Sequence, residues 1–253
     1  VLLQSKKASF LQNKKWDDYS HVPFVTIDPK DARDHDDACY AKPDDDPKNI
    51  GGHLIWVAIA DVAHFVRSGD AIDNEARHRG NSTYFPDRVV PMLPDNLSGN
   101  LCSLHEGEKR ACIVVKIKID SVGNKISHKF TRAVIQSWAS LEYGEVQEVI
   151  DKGTGKPKVL DLVNTVIKPL YDAYSCLKIS RKARSPLDLN LPERKIEIDE
   201  KGIVKDVRFK ERLEAHKLIE EFMILANVCA AETLSYKKTP TIVTKYHNRA
   251  LKL

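Results

Sequence analysis

The stretch "HLIWVAIADVAHFV", residues 53–66, is almost continuously apolar and rich in β-branched side chains. A run of this kind suits a strand buried on both faces, so the rest of the chain must supply cover above and below it. It reads as the central strand, with Asp61 and His64 marking where the chain emerges. Phe24 to Ile27 and Ala38 to Ala41 read as two further strands around a loop at Pro29 to His35. In "ACIVVKIKID" the alternation points Ile113, Val115, Ile117 and Ile119 one way, and "SVGN" turns the chain into "KISHKFTRAVIQ", an antiparallel hairpin. A second hairpin, "KIEIDEKGIVKDVRF", turns at Lys201 and Gly202. Asp70 to Arg79 has helical spacing with acidic residues early and arginines late, and Gly80 stops it. Leu141 to Arg184 reads as helices, with Pro169 breaking or kinking the longer one. "RLEAHKLIEEFMILANVCAAETL" reads as a long amphipathic helix. Together these make an α/β domain of the α+β type, a largely antiparallel, twisted sheet flanked by helices.

Composition permits a real core: 253 residues, 42% hydrophobic and 30% charged. The net charge of +4 permits an anionic partner without demanding one. Five scattered cysteines with no CxxC pair argue against zinc and a disulfide framework, and for a reducing, cytoplasmic compartment. No apolar run reaches the length of a membrane span, and the lysine-rich start is too polar for a secretory signal.

The chemistry concentrates in "FVTIDPKDARDHDDACYA", where Asp28, Asp31, Asp34, Asp36 and Asp37 fall between two strand-like runs. Crowded carboxylates raise one another's pKa unless a positive group compensates. Arg33 and His35 could do so locally, which would make this an exposed acidic hairpin with its own ion pairs. The other reading is a metal site. Asp28 ends one strand while Asp36 and Asp37 open the next, so the loop can fold their carboxylates together, and all-oxygen ligands suit a hard cation such as Mg²⁺ used with phosphate substrates. The glycine and terminal glutamate of an EF-hand are missing. Asp44, Asp45 and Asp46, between Pro43 and Pro47, read instead as a solvated charge run in a turn.

"TIDPKDARDHDDA" resembles the signature of the ribonuclease II and ribonuclease R family, the RNB catalytic domain. "WVAIADVAHFV", "RGNSTYFPDRVVPMLPDNLS", "LCSL", "LDLNLPE" and "HKLIEEFMILAN" resemble further blocks of that family in the same order. The resemblance implies a Mg²⁺-dependent hydrolytic exoribonuclease, with Mn²⁺ also suited, that works from the 3′ end of single-stranded RNA and releases nucleoside 5′-monophosphates. DNA is not expected as a substrate. It implies that Asp28, Asp34, Asp36 and Asp37 bind metal and organise catalysis, with Asp31 outside the set. Tyr84 matches a tyrosine that stacks on a base near the 3′ end; Tyr143, with Glu220 or Glu221, matches groups that hydrogen-bond ribose, the contact that separates RNA from DNA. Without the resemblance, Tyr84 reads as a loop tyrosine packed by Phe85, Tyr143 as helix-surface packing and the glutamates as a solvent face. An RNA channel is expected to lead to the aspartates at one end of the sheet.

The resemblance also marks departures. Residues 1–22 read as a lead-in and 23–253 as a partial, C-terminally incomplete RNB domain, with no cold-shock or S1 domain. The tail "TIVTKYHNRALKL" only loosely resembles a family block, and the "Thr-Ser-Pro-Ile-Arg-Arg-Tyr" motif, which places an arginine near the scissile phosphate, is missing. The alternative expectation is therefore a catalytically incomplete fragment that binds metal or RNA without turnover.

Overall fold

The central run becomes the middle strand of a seven-stranded sheet in the computed structural model, which describes residues 1–8, 15–184, 194–199, 202–209 and 211–241. In chain order the elements are α1 (Leu2–Lys7), β1 (Asp17–Asp18), β2 (Val25–Asp28), β3 (Asp37–Pro43), β4 (His53–Ala60), α2 (Val62–Phe65), α3 (Ala71–Arg79), β5 (Thr83–Tyr84) and β6 (Val89–Val90). After a π-helical turn at Leu97–Leu101 come β7 (Lys109–Ile119), β8 (Lys125–Gln136), β9 (Ala139–Glu142), α4 (Tyr143–Lys152) and α5 (Pro157–Asp161). A second π-helical turn, Val163–Ile167, leads into α6 (Lys168–Arg184), β10 (Arg194–Ile198), β11 (Val204–Phe209) and α7 (Glu214–Tyr236).

The sheet order is β1-β8-β7-β4-β3-β2-β9. The inner pairings are antiparallel, whereas β1 on β8 and β9 on β2 are parallel. Strand β4 is covered on both faces. Ile55 and Val57 join Val115, Ile117 and Ile119 under a helical layer that includes Val146, Leu170 and Phe222. Trp56, Ala58 and Ala60 face the other way, against Phe24, Ile72, Leu97 and Leu104. Each large side chain so buried contributes about 1.5–3 kcal/mol, which makes the two-sided run the anchor of both layers. Helix α3 starts where expected, because Asp70 Oδ1 accepts from the backbone N–H groups of Ile72 and Asp73 at 2.9 and 2.8 Å.

Three expectations are corrected. Leu141 lies in a strand, because β9 satisfies the open backbone edge of β2 before the chain turns helical. Pro169 falls in the first turn of α6, directly after the π-helical turn Val163–Ile167, so the helical irregularity lies at the start of the long helix and not within its length. Asp61 does not emerge into solvent but is buried. The second hairpin forms as β10 against β11, with Lys201 outside the described residues, as are "LDLNLPE" and the tail from residue 242.

The β7–β8 turn fixes helix α6 closely. Gly123 has φ +82°, and a Cβ there would lie 2.3 Å from the Cys176 carbonyl oxygen. Gly107 has φ +74° with nothing within 4 Å. Gly123→Ala should therefore cost about 2–4 kcal/mol and Gly107→Ala only about 1 kcal/mol, measured by chemical denaturation. Equal losses would contradict the close approach.

Candidate active site

The aspartates are set by strand ends. Strand β2 ends at Asp28 and β3 begins at Asp37, and the two strands meet at Val25 opposite Cys39, leaving residues 29–36 as the loop between them. That loop is clamped from outside. The His35 N–H donates to Ser103 Oγ at 2.9 Å, the Ser103 hydroxyl donates to the Arg33 carbonyl at 3.1 Å, and the Leu104 N–H donates to the His35 carbonyl at 2.9 Å. The Ala60 N–H at the end of β4 donates to the Asp36 carbonyl at 3.0 Å. The "LCSL" segment is thus a brace for the acidic loop.

Within the loop, Asp28 Oδ2 pairs with His35 Nδ1 at 2.7 Å. This hydrogen bond, reinforced by the charges of Asp28, Asp34 and Asp36, raises the His35 pKa against the opposing effect of burial. Asp36 lies at the surface, yet loss of solvation and the charges of Asp34 and Asp28 raise its carboxyl above the usual range. Asp37 is pushed up to about 7, first by burial and then by Asp28 and Asp36. Local compensation is therefore partial: His35 pairs with Asp28 and eases Asp36 and Asp37, whose carboxyls stay raised by burial and by like charge. Asp31 is exposed. Asp34 accepts a hydrogen bond from the Tyr84 hydroxyl at 3.1 Å. Tyr84 is itself 66% exposed at the start of a small hairpin, not packed into the surface as a plain loop tyrosine would be.

Parallel pairing brings the second tyrosine. Asp28 stands opposite Glu142, so Tyr143, the first residue of α4, is delivered beside the loop. Burial raises its hydroxyl pKa, with Asp28 and Asp37 adding to the effect, and its ring stacks on His216 at 4.0 Å. The glutamates are placed elsewhere. Glu221 is buried, pairing with Arg181 at 2.6 Å and Arg184 at 3.1 Å, while Glu220 meets Arg212 at 2.5 Å. Glu221 shares a groove with Gly123, Asn124 and Lys125, and strand register puts that turn at the sheet end opposite Asp37. The solvent-face reading of this pair fails for Glu221, which points inward.

The donor chemistry fits a hard divalent cation: four carboxylates on one braced loop, two of them raised first by burial and then by neighbouring carboxylates. In the conformation described, no group of three or more His, Cys, Asp or Glu side chains stands ready to ligate a metal among the described residues, and Asp28 is turned toward His35. Ser103 and His216 are the contributors that sequence reasoning missed. A lone serine between apolar residues in "LCSL" was the available signal for the first, and the position of His216 at the head of "HKLIEEFMILAN" for the second.

The RNB domain family matches residues 16–252. Ribonuclease R of Escherichia coli (strain K12) is 38% identical over 225 residues, covering 89% of this chain and 27% of that protein. Among solved structures, Mycoplasma genitalium RNase R in complex with ribose methylated single-stranded RNA aligns at 31% identity with a TM-score of 0.86, covering 93% of this chain and 36% of that one. The same protein in complex with double-stranded RNA aligns at 32% identity with a TM-score of 0.87, covering 94% of this chain and 42% of that one. The chain thus spans about a quarter to two-fifths of the length of these relatives.

Ser103→Ala removes a buried hydroxyl that both accepts and donates, at an expected cost of about 1–3 kcal/mol. Hydrogen exchange at the His35 amide should accelerate in this variant by more than elsewhere in the sheet. Unchanged exchange at His35 would contradict the brace.

Proposed function

Because the chain belongs to the RNB domain family, we propose that it carries the aspartate half of a hydrolytic exoribonuclease site acting on single-stranded RNA from the 3′ end and releasing nucleoside 5′-monophosphates. The observation that carries this reading is the braced acidic loop, on which burial, and after it the charges of neighbouring aspartates, raise the carboxyls of Asp36 and Asp37. Asp28, Asp34, Asp36 and Asp37 would hold the ion, Mg²⁺ or Mn²⁺. When bound, it supplies charge neutralisation at the scissile phosphate and acidifies an attacking water.

The chain's own residues set the stage. The backbone clamps from Ser103, Leu104 and Ala60 hold the loop's main chain, so that ion binding has only the carboxylate side chains to reorient. Tyr84, exposed and tethered through its hydroxyl to Asp34, offers a ring face to a base next to the site; stacking of this kind tolerates every base and contributes about 1–3 kcal/mol. Tyr143, beside Asp28, is in position to meet ribose, which would favour RNA over DNA. Glu220 and Glu221 are paired with arginines, so a contact from either to ribose would require those ion pairs to open. The five free, buried cysteines accord with a reducing compartment, the cytoplasm.

A second reading is binding of metal or RNA without turnover. It is favoured by one observation, that Asp28 is engaged by His35 and the carboxylates do not converge as they stand.

Degradation of 5′-labelled and 3′-labelled single-stranded RNA separates the two. Mononucleotide release from the 3′ end is expected with Mg²⁺, absent with EDTA, absent on a DNA oligonucleotide, and reduced on the order of a hundredfold or more in Asp36→Asn. Equal cleavage of DNA, or full activity in Asp36→Asn, would refute the exoribonuclease reading. RNA bound without turnover would establish the second.

A further inference from the structure

We propose that Arg132, aimed by the buried carboxylate of Asp61, is a phosphate-binding site for the RNA strand on the 5′ side of the bond being cleaved. The inference rests on the exoribonuclease reading above and adds a contact outside the aspartate loop and its tyrosines.

The geometry comes from strand register. Asp37 of β3 pairs with Ile59 of β4, Ile59 with Ile113 of β7, and Ile113 with Arg132 of β8. Side chains directly opposite one another across antiparallel strands point to the same face, so these four residues form one row that starts at an active-site aspartate and ends at an arginine. Three inter-strand steps of about 4.8 Å make the row about 14 Å long, roughly two or three nucleotides of a single strand. The row is open to solvent along its length. Ile59 is 37% exposed, Ile113 is half-buried, and the Arg132 side chain is 49% exposed. The two isoleucines give bases and riboses an apolar floor with no charge to repel them.

Asp61 supplies the second, independent observation. Its side chain is 1% exposed and lies 3.1 Å from Arg132 Nε, yet neither of its oxygens has a well-directed hydrogen-bond partner. A buried carboxylate in that state holds the guanidinium by charge at its Nε edge. Among the described residues Asp61 is the one carboxylate with which Arg132 pairs, and it does so through Nε, which leaves the edge of the fork that carries the terminal nitrogens for another acceptor. That edge suits a phosphate, which guanidinium groups grip with paired donors. Only one nucleotide lies beyond the scissile bond in an enzyme that removes single nucleotides from the 3′ end. A phosphate held at the far end of the row must therefore belong to the 5′ side, and Asp61 acts as a positioning residue.

Fluorescence anisotropy with a dinucleotide and an octanucleotide of RNA, each ending in a 3′-hydroxyl, tests this on the intact chain. Arg132→Gln should weaken octanucleotide binding about 5- to 20-fold, leave the dinucleotide unchanged, and flatten the slope of log affinity against log salt by about 0.7. Arg132→Lys should recover part of the loss, and Asp61→Asn should weaken the octanucleotide several-fold while the slope is kept. Arg132 is partly exposed, so Arg132→Gln carries the test if Asp61→Asn does not fold. Unchanged octanucleotide affinity in Arg132→Gln, or equal losses at both lengths, would overturn the inference while leaving the exoribonuclease reading standing. A wild-type chain that binds neither RNA would overturn both.

Discussion

Carboxylates crowded onto one short, partly buried loop are the constraint that the surrounding structure has to hold in place. The chain carries two acidic runs, and their electrostatics are opposite. In the turn at residues 44–46, Lys118 reaches Asp44 at 2.8 Å and Asp46 at 2.7 Å, Lys42 reaches Asp45 at 2.9 Å, and Asp44 is held down at about 2 by Lys118 and Asn49. In the loop at residues 28–37, His35 pairs with Asp28 and the Tyr84 hydroxyl donates to Asp34, while Asp36 and Asp37 are raised. A folded chain tolerates such a cluster only when other parts of the structure hold it in place.

Those parts are visible. Two-sided burial of β4 fixes the sheet, and the hydrogen bond from Ala60 at its end reaches the Asp36 carbonyl. The parallel insertion of β9 beside β2 sets Tyr143 next to Asp28. Ser103 and Leu104 reach across to the loop backbone and keep it closed. Rigid elements thus carry the strained charge, an arrangement suited to binding a cation and a phosphate at one place.

Much of this was legible in the sequence because it depends on local pattern. The apolar run at residues 53–66, the alternation from Ile113 to Ile119, the Asp70 cap and the long helix α7 all carry their own periodicity or punctuation. The acidic loop was legible because five aspartates in so short a span have few uses. What escaped depends on partners distant in sequence. Strand β9 is only four residues long, and its pairing with β2, over a hundred residues earlier, outweighed the helical reading of Leu141. Asp61 looked like a strand exit, and its burial follows from Arg132 and Ala111 on neighbouring strands. Of two adjacent glutamates, nothing local says which points inward; Arg181 and Arg184 on α6 draw in Glu221.

The most direct test asks where a divalent cation sits. Paramagnetic Mn²⁺, added to the isotopically labelled chain, broadens NMR signals of nuclei near the bound ion. The expected result is broadening centred on the amides of residues 28–37 and on Tyr143, displaced by excess Mg²⁺ and lost in Asp36→Asn. Broadening centred on Asp44, Asp45 and Asp46, or spread evenly over the surface, would contradict the account.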